Sequence, residues 1–182
     1  MKKIMFDDKY GLTDSVLQGR KTMTRRMVKD GTPLGNWGET EKYAKYKIGE
    51  VLAVAQPYKE LDYSLKGFAT NPDRTCGIRR KFAQKQPGWN NKMFVSAKFM
   101  PHYIRITDIK VERLQDISDE DIMKEGITYI AGGGYGVRFG ENYNAFALNP
   151  MVAFAVLIDK NSGKGTWESN PYVFSYTFKL LK

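Results

Sequence analysis

The chain has 182 residues, 42% hydrophobic and 13% aromatic, with 29 Lys and Arg against 20 Asp and Glu for a net charge of +9. That length suits one domain with a closed core, and the apolar share excludes disorder over most of the chain. The single cysteine, Cys76, excludes an internal disulfide and suits a reducing compartment; no apolar h-region follows Lys2 and Lys3, and no apolar run approaches the ~20 residues that span a bilayer, so a cytoplasmic protein with no membrane partner is expected.

In chain order, Ile4–Phe6 suits a short strand. Thr13 is placed to cap a short helix over Asp14–Gln18, which Gly19 ends, and residues 21–28 leave it extended. Residues 31–46 read as a loop, and Gly49-Glu50 turns into the buried strand Val51–Ala55. Residues 58–92 lack periodicity and read as an irregular insertion, after which Met93–Ala97 returns as a strand. Tyr103–Leu114 is the clearest strand. Ile104 and Ile106 alternate, then Ile109 and Val111 alternate in the opposite phase, which predicts a bulge or bend at Thr107-Asp108.

Ser118 with Asp121 predicts a capped helix that runs to about Glu125 and stops at Gly126. Residues 128–149, with Gly132, Gly133, Gly134 and Gly136, read as a second inserted loop. Asn149-Pro150 opens a helix whose buried face is expected to be Met151, Val152, Phe154, Ala155 and Ile158. The last segment alternates Tyr172, Phe174, Tyr176, Phe178 and Leu180 against Val173, Ser175, Thr177 and Lys179, a strand with one aromatic face. Short strands with about three short helices suit a mixed α+β fold built on a small barrel, as one domain.

The positive charge is clustered. No acid interrupts Arg74, Arg79, Arg80, Lys81, Lys85, Lys92, Lys98 and Arg105, nor Arg20, Lys21, Arg25, Arg26 and Lys29. Such windows attract polyanions, or else form solvated faces. Trp89 lies within the first window and can stack on a base, whereas Trp167 suits the core. His102 is the only histidine, and one His with one Cys excludes a zinc site. Asp119, Glu120 and Asp121 fit the first turn of a helix better than a metal site, so neither metal nor cofactor is expected.

Three stretches carry a resemblance. Gly19-Arg20-Lys21-Thr22-Met23-Thr24-Arg25 resembles the signature Gly-x-Lys-x-x-Thr followed by a basic residue. Ile104–Ile109 through Val111–Ser118 to Glu125-Gly126-Ile127, and Gly165–Glu168 with Asn170–Phe174, resemble the central strand and helix and the closing strand of the same group. That group is the ASCH family of the PUA-like superfold, in particular its phage and prophage members. The resemblance implies a PUA-like β-barrel with a cleft beside the first motif that binds RNA or a modified nucleoside or nucleotide.

It also implies an alternative activity, hydrolysis of N4-acetylcytidine, with Lys21, Thr24 and Glu125 matching the catalytic residues of one bacterial branch. The nucleic-acid contacts expected are Arg20, Arg25, Arg26, Arg79, Arg80, Trp89 and Arg105. The chain departs from its phage relatives at Gln56, where they carry an acid, and in the 58–92 insertion.

In chemical terms, Thr24 supplies a hydroxyl nucleophile, Lys21 a base once burial and neighbouring arginines lower its pKa, and Glu125 a proton shuttle. In a regular strand residues 21 and 24 point to opposite faces, so the pair requires Lys21 to sit in the turn after the first helix. An accessory protein acting through a protein partner remains a third reading.

Overall fold

The computed structural model describes residues 1–61, 83–139 and 142–181. Among them are eight strands: β1 (Lys3–Ile4), β2 (Met23–Met27), β3 (Val51–Val54), β4 (Tyr103–Arg113), β5 (Ile127–Tyr129), β6 (Tyr135–Phe139), β7 (Asn142–Ala147) and β8 (Tyr172–Leu181). The α-helices are short: α1 (Leu12–Leu17), α2 (Trp37–Thr40), α3 (Asp119–Lys124), α4 (Pro150–Ser162) and α5 (Thr166–Ser169). Five strands hydrogen-bond in the order β1-β3-β4-β8-β2 and three in the order β5-β6-β7, a mixed α/β fold with two sheets. The chain forms two compact units, one of Met1–Phe6, Val51–Ile104 and Leu181–Lys182, the other of Asp7–Glu50 and Arg105–Leu180.

In the first unit β1 runs parallel to β3, with Lys3 opposite Ala53 and Ile4 opposite Val54. Its core gathers Ala53, Tyr58, Leu61, Ala83, Val95 and Met100. The expected strand over Met93–Ala97 is instead two 3-10 turns, Lys92–Phe94 and Ala97–Phe99. Asn91 accepts a hydrogen bond from the Met93 N–H and starts the first turn, and Lys3 Nζ donates to the carbonyls of Lys92 and Met93 at 3.1 and 2.9 Å, holding those oxygens away from any strand partner.

In the second unit β2 and β8 pair antiparallel, with Thr24 opposite Tyr176 and Arg26 opposite Phe174. The phase change in β4 is present: Ile104 and Ile106 are buried, then Ile109. In β8 Phe174, Tyr176 and Phe178 of the aromatic face are buried, and Val173 and Ser175 on the other face are buried too, because both faces are covered there. The 128–149 segment, expected as loop, forms β5, β6 and β7. Its glycines allow close strand contact: a Cβ on Gly136 would lie 2.9 Å from the Asn144 carbonyl oxygen. The register shifts between Tyr135 and Val137, and Ala145 takes φ 53° there, as a bulge requires.

Asn149 caps α4 by accepting from the N–H groups of Met151 and Val152. The buried stripe is Ala153, Phe154 and Leu157, rotated from the expected one; Val152 is 51% exposed. The small Ala153 lets α4 pack closely on β7 and β6, turning Val152 outward. Trp167 stacks edge-on against Phe154 at 6.0 Å. The first helix starts at Leu12 with Gly11 as its N-cap at φ 72°; Thr13 lies inside it, its hydroxyl donating to Asp8.

Candidate functional site

The site begins where two helix ends meet. Gly19 leaves α1 at φ 72°, a conformation that suits glycine, and the N–H groups of Arg20 and Lys21 both donate to the Ser15 carbonyl at 2.8 and 2.9 Å. Lys21 therefore sits in the turn before β2 rather than in a regular strand. On the other side α3, capped by Ser118, ends at Glu125, and Gly126 turns the chain away at φ 99°. The Thr22 N–H donates to the Lys124 carbonyl at 2.8 Å and ties the two ends together.

Between these ends lies a buried ion-pair network. Lys21 Nζ donates to a carboxylate oxygen of Glu125 and, at 2.9 Å, to the Glu125 carbonyl. Arg25 Nη1 reaches the other Glu125 oxygen at 3.1 Å, and Nε and Nη2 reach Glu112 Oε1 at 3.1 and 2.6 Å. Asp121 stands 3.6 Å from Arg25 Nη2 and pairs with Lys124 at 2.8 Å. Lys21 and Glu125 are 2% and 4% exposed. Burial pulls the Lys21 ammonium below its usual lysine range; Glu125 opposes that shift, and the charges of Arg26 and Arg25 add to it. Asp121 is held below its ordinary value by Lys124 and Arg25 although burial opposes the shift.

Of the three residues expected to carry chemistry, the fold joins two. Lys21 and Glu125, 104 residues apart, are in direct contact. Thr24 is buried at 5% exposure, but no hydrogen bond joins it to either group among the described residues. The strand geometry explains this. Met23 and Arg25 face Glu125 with Lys21, Met23 Sδ lying 3.2 Å from Arg25 Nη1, while Thr24 alternates to the face it shares with Arg26 and Tyr176. On that face Tyr46 and Tyr176 meet edge-on at 5.3 Å, and burial raises both phenols.

Arg25 is corrected from an expected nucleic-acid contact to an internal charge: its side chain is 1% exposed and engaged by carboxylates. Trp89 is half-buried and packs in part against the first unit's core. Arg105 is exposed on β4 between two buried isoleucines. Arg20 is half-buried, with Nη1 on Ser15 Oγ at 3.0 Å and Nε on Gln18 Oε1 at 3.1 Å. Arg79 and Arg80 lie outside the described residues. Gln56 is buried, and its Oε1 accepts no hydrogen bond among the described residues.

Sequence reasoning missed Glu112 and Asp121. The available signal was Arg25 itself, a charge in a strand of buried residues that demands a carboxylate partner. Among the described residues no group of three or more His, Cys, Asp or Glu is arranged to hold a metal ion, and no helix is long and apolar enough to cross a membrane. No family model, curated protein or solved structure matches the chain.

Proposed function

We propose that the chain is an ASCH-type, PUA-like protein that binds a nucleoside or nucleotide beside the Lys21–Glu125 pair, its partner being RNA or a modified nucleotide. The observation that carries this reading is the meeting of Lys21 and Glu125. The resemblance to ASCH proteins names both residues, and they come from motifs 104 residues apart to form one buried contact. A network that satisfies Arg25 internally favours a small polar ligand at this point over a broad phosphate-binding groove.

The same contact favours the second reading, hydrolysis of an N4-acyl amide of cytosine. A buried lysine with a lowered pKa holds more neutral amine near neutral pH than an exposed one, as a general base requires. In that reaction Lys21 takes the Thr24 hydroxyl proton as the oxygen bonds to the acyl carbon. The C–N bond then breaks, and the exocyclic nitrogen receives a proton delivered through Glu125. Water next releases the acyl group from Thr24 as a carboxylic acid and restores the hydroxyl. Lys21 must first give its proton to Glu125 and, as the neutral amine, reach Thr24 on the other face of β2, a rearrangement that substrate binding has to drive.

The test is binding of cytidine derivatives and RNA at low salt, with turnover of N4-acetylcytidine, by the wild type and by Lys21→Ala, Thr24→Ala and Glu125→Ala. Loss of turnover in all three, with the fold retained, supports hydrolysis. Binding by the wild type without turnover leaves the binding reading alone. A wild type that neither binds nor hydrolyses any of them ends the proposal.

A further inference from the structure

Helix α4 buries Ala153, Phe154 and Leu157 and keeps a second face open. That face borders a cavity of about 410 Å³, floored by Met151, Val152, Ala155 and Val156 and lined from α5 by Trp167. Residues 151 and 152, 155 and 156, and 159 and 160 succeed one another a turn apart, so the cavity is a groove along the helix, about 13 Å long. The Trp167 ring is held edge-on by Phe154 at 6.0 Å, which fixes that wall. Val152 is 51% exposed, and Leu148, just ahead of the helix, is 80% exposed.

The far end of the groove is basic. Lys160 and Lys164 line it, both exposed, and no ion pair holds either ammonium among the described residues. Asp159 lines it too, but its carboxylate accepts from the Gly165 and Trp167 N–H groups at 3.2 and 2.8 Å and is committed to the α4–α5 connection. The Tyr10 hydroxyl donates to the Lys160 carbonyl at 3.2 Å, and Lys9 Nζ lies 5.4 Å over the Tyr10 ring, which brings a third ammonium to this end.

A groove that is aliphatic along most of its length and cationic at one end is complementary to apolar side chains followed by carboxylates. A second copy of a chain with net charge +9 would set like charge against like. Nucleic acid finds aliphatic side chains where bases need rings, and ammoniums where phosphates favour guanidinium forks. A concave groove closes around a side chain, whereas a lipid surface takes a convex face.

We propose that this groove docks a short acidic and apolar segment of a partner protein. Its apolar side chains sit over Val152, Ala155 and Val156, and its carboxylates meet Lys160 and Lys164. The groove shares no lining residue with the Lys21–Glu125 network, so the proposal stands apart from the nucleoside reading.

The experiment selects binders of the full chain from a displayed library of random peptides about twelve residues long, enough to cover the groove as helix or strand. The peptides obtained are then titrated against the wild type, Val152→Glu and the double variant Lys160→Glu/Lys164→Glu. All three positions are exposed, and melting curves check that each variant folds. Peptides that combine Asp or Glu with apolar residues are expected, with affinity reduced roughly tenfold by Val152→Glu and fivefold or more by the double variant at low salt. A peptide with its acids changed to lysine is expected to bind the double variant better than the wild type.

A selection that yields no peptide, peptides without acids, or peptides indifferent to both variants overturns the proposal. Dimerisation of the wild type in light scattering, abolished by Val152→Glu, assigns the groove to a second copy and overturns it as well. So does binding of phosphatidylserine vesicles or of a short oligoribonucleotide that displaces the selected peptide and is lost in Val152→Glu.

Discussion

Glu125→Leu tests the buried network most directly. The substitution removes both carboxylate oxygens at once. Arg25 keeps Glu112 at 2.6 Å, but Lys21, 2% exposed, keeps only the carbonyl of residue 125 at 2.9 Å among its contacts with that residue. Breaking a buried pair from one side costs about 3–5 kcal/mol, because the remaining charge stays buried. With a urea slope of about 2–3 kcal/mol/M, the unfolding midpoint should fall by roughly 1–2.5 M at unchanged slope.

Lys21 has a way out, since it can shed its proton. The deficit should therefore narrow as pH rises toward the usual lysine value of 10.5. In Lys21→Met/Glu125→Leu both charges go, and the double variant should be more stable than Glu125→Leu alone. A midpoint shift below roughly 0.3 M in the single variant, or strict additivity in the double, refutes the coupling between these two side chains.

Other expectations concern the surroundings of the site. Gly126→Ala forces a side chain into φ 99° and sets its Cβ 3.3 Å from Lys21 Cβ; a loss of about 1–2 kcal/mol in urea unfolding is expected, with a change in any Lys21-dependent turnover. Asn149→Ala removes the cap of α4 and should cost about 1 kcal/mol, a melting temperature lower by roughly 2–4 °C. Gly88→Ala would place a Cβ 2.6 Å from the Tyr58 ring and 2.9 Å from Val95; a loss of about 1–3 kcal/mol and a changed Trp89 fluorescence are expected. The pH profile has a sign from each group. Lys21 binds its proton less readily folded than unfolded, so its contribution to stability rises between its lowered pKa and 10.5. Tyr46 and Tyr176, raised by burial, lose stability as pH climbs past the ordinary phenol value of 10.0; a stability curve without a fall there, followed by Tyr absorbance, contradicts their burial.

Local chemistry was legible where a short-range rule decides the outcome. Ser118 caps α3 and Asn149 caps α4 because a side-chain oxygen within three residues of its N–H partners needs nothing else. The turn that places Lys21 was only partly legible: Gly19 marked the end of the helix, but residues 21–28 read as extended, and the hydrogen bonds of the Arg20 and Lys21 N–H groups to the Ser15 carbonyl were not foreseen. The 128–149 hairpin was not legible. Its strands are weak in isolation and rich in glycine, and only pairing with each other and packing under α4 makes them strands. Arg25 was misread because a run of basic residues looks the same in sequence whether it faces solvent or the inside. Deciding that takes Glu112, 87 residues away.

The energetic character of the network bears on why it exists. Replacing a buried ion pair by apolar groups of similar size is often neutral or stabilising by about 1–4 kcal/mol, so Lys21 and Glu125 are a poor choice if holding the fold together were their only task. Arg25 already ties β2 to Glu112 of β4, and the Thr22 N–H already ties the turn to α3. The structural connection is therefore made twice without Lys21. What Lys21 adds is a desolvated amine whose proton is contested between burial and a carboxylate. Such a group can serve a reaction or a ligand that competes for its hydrogen bonds, which is the property the proposed site draws on.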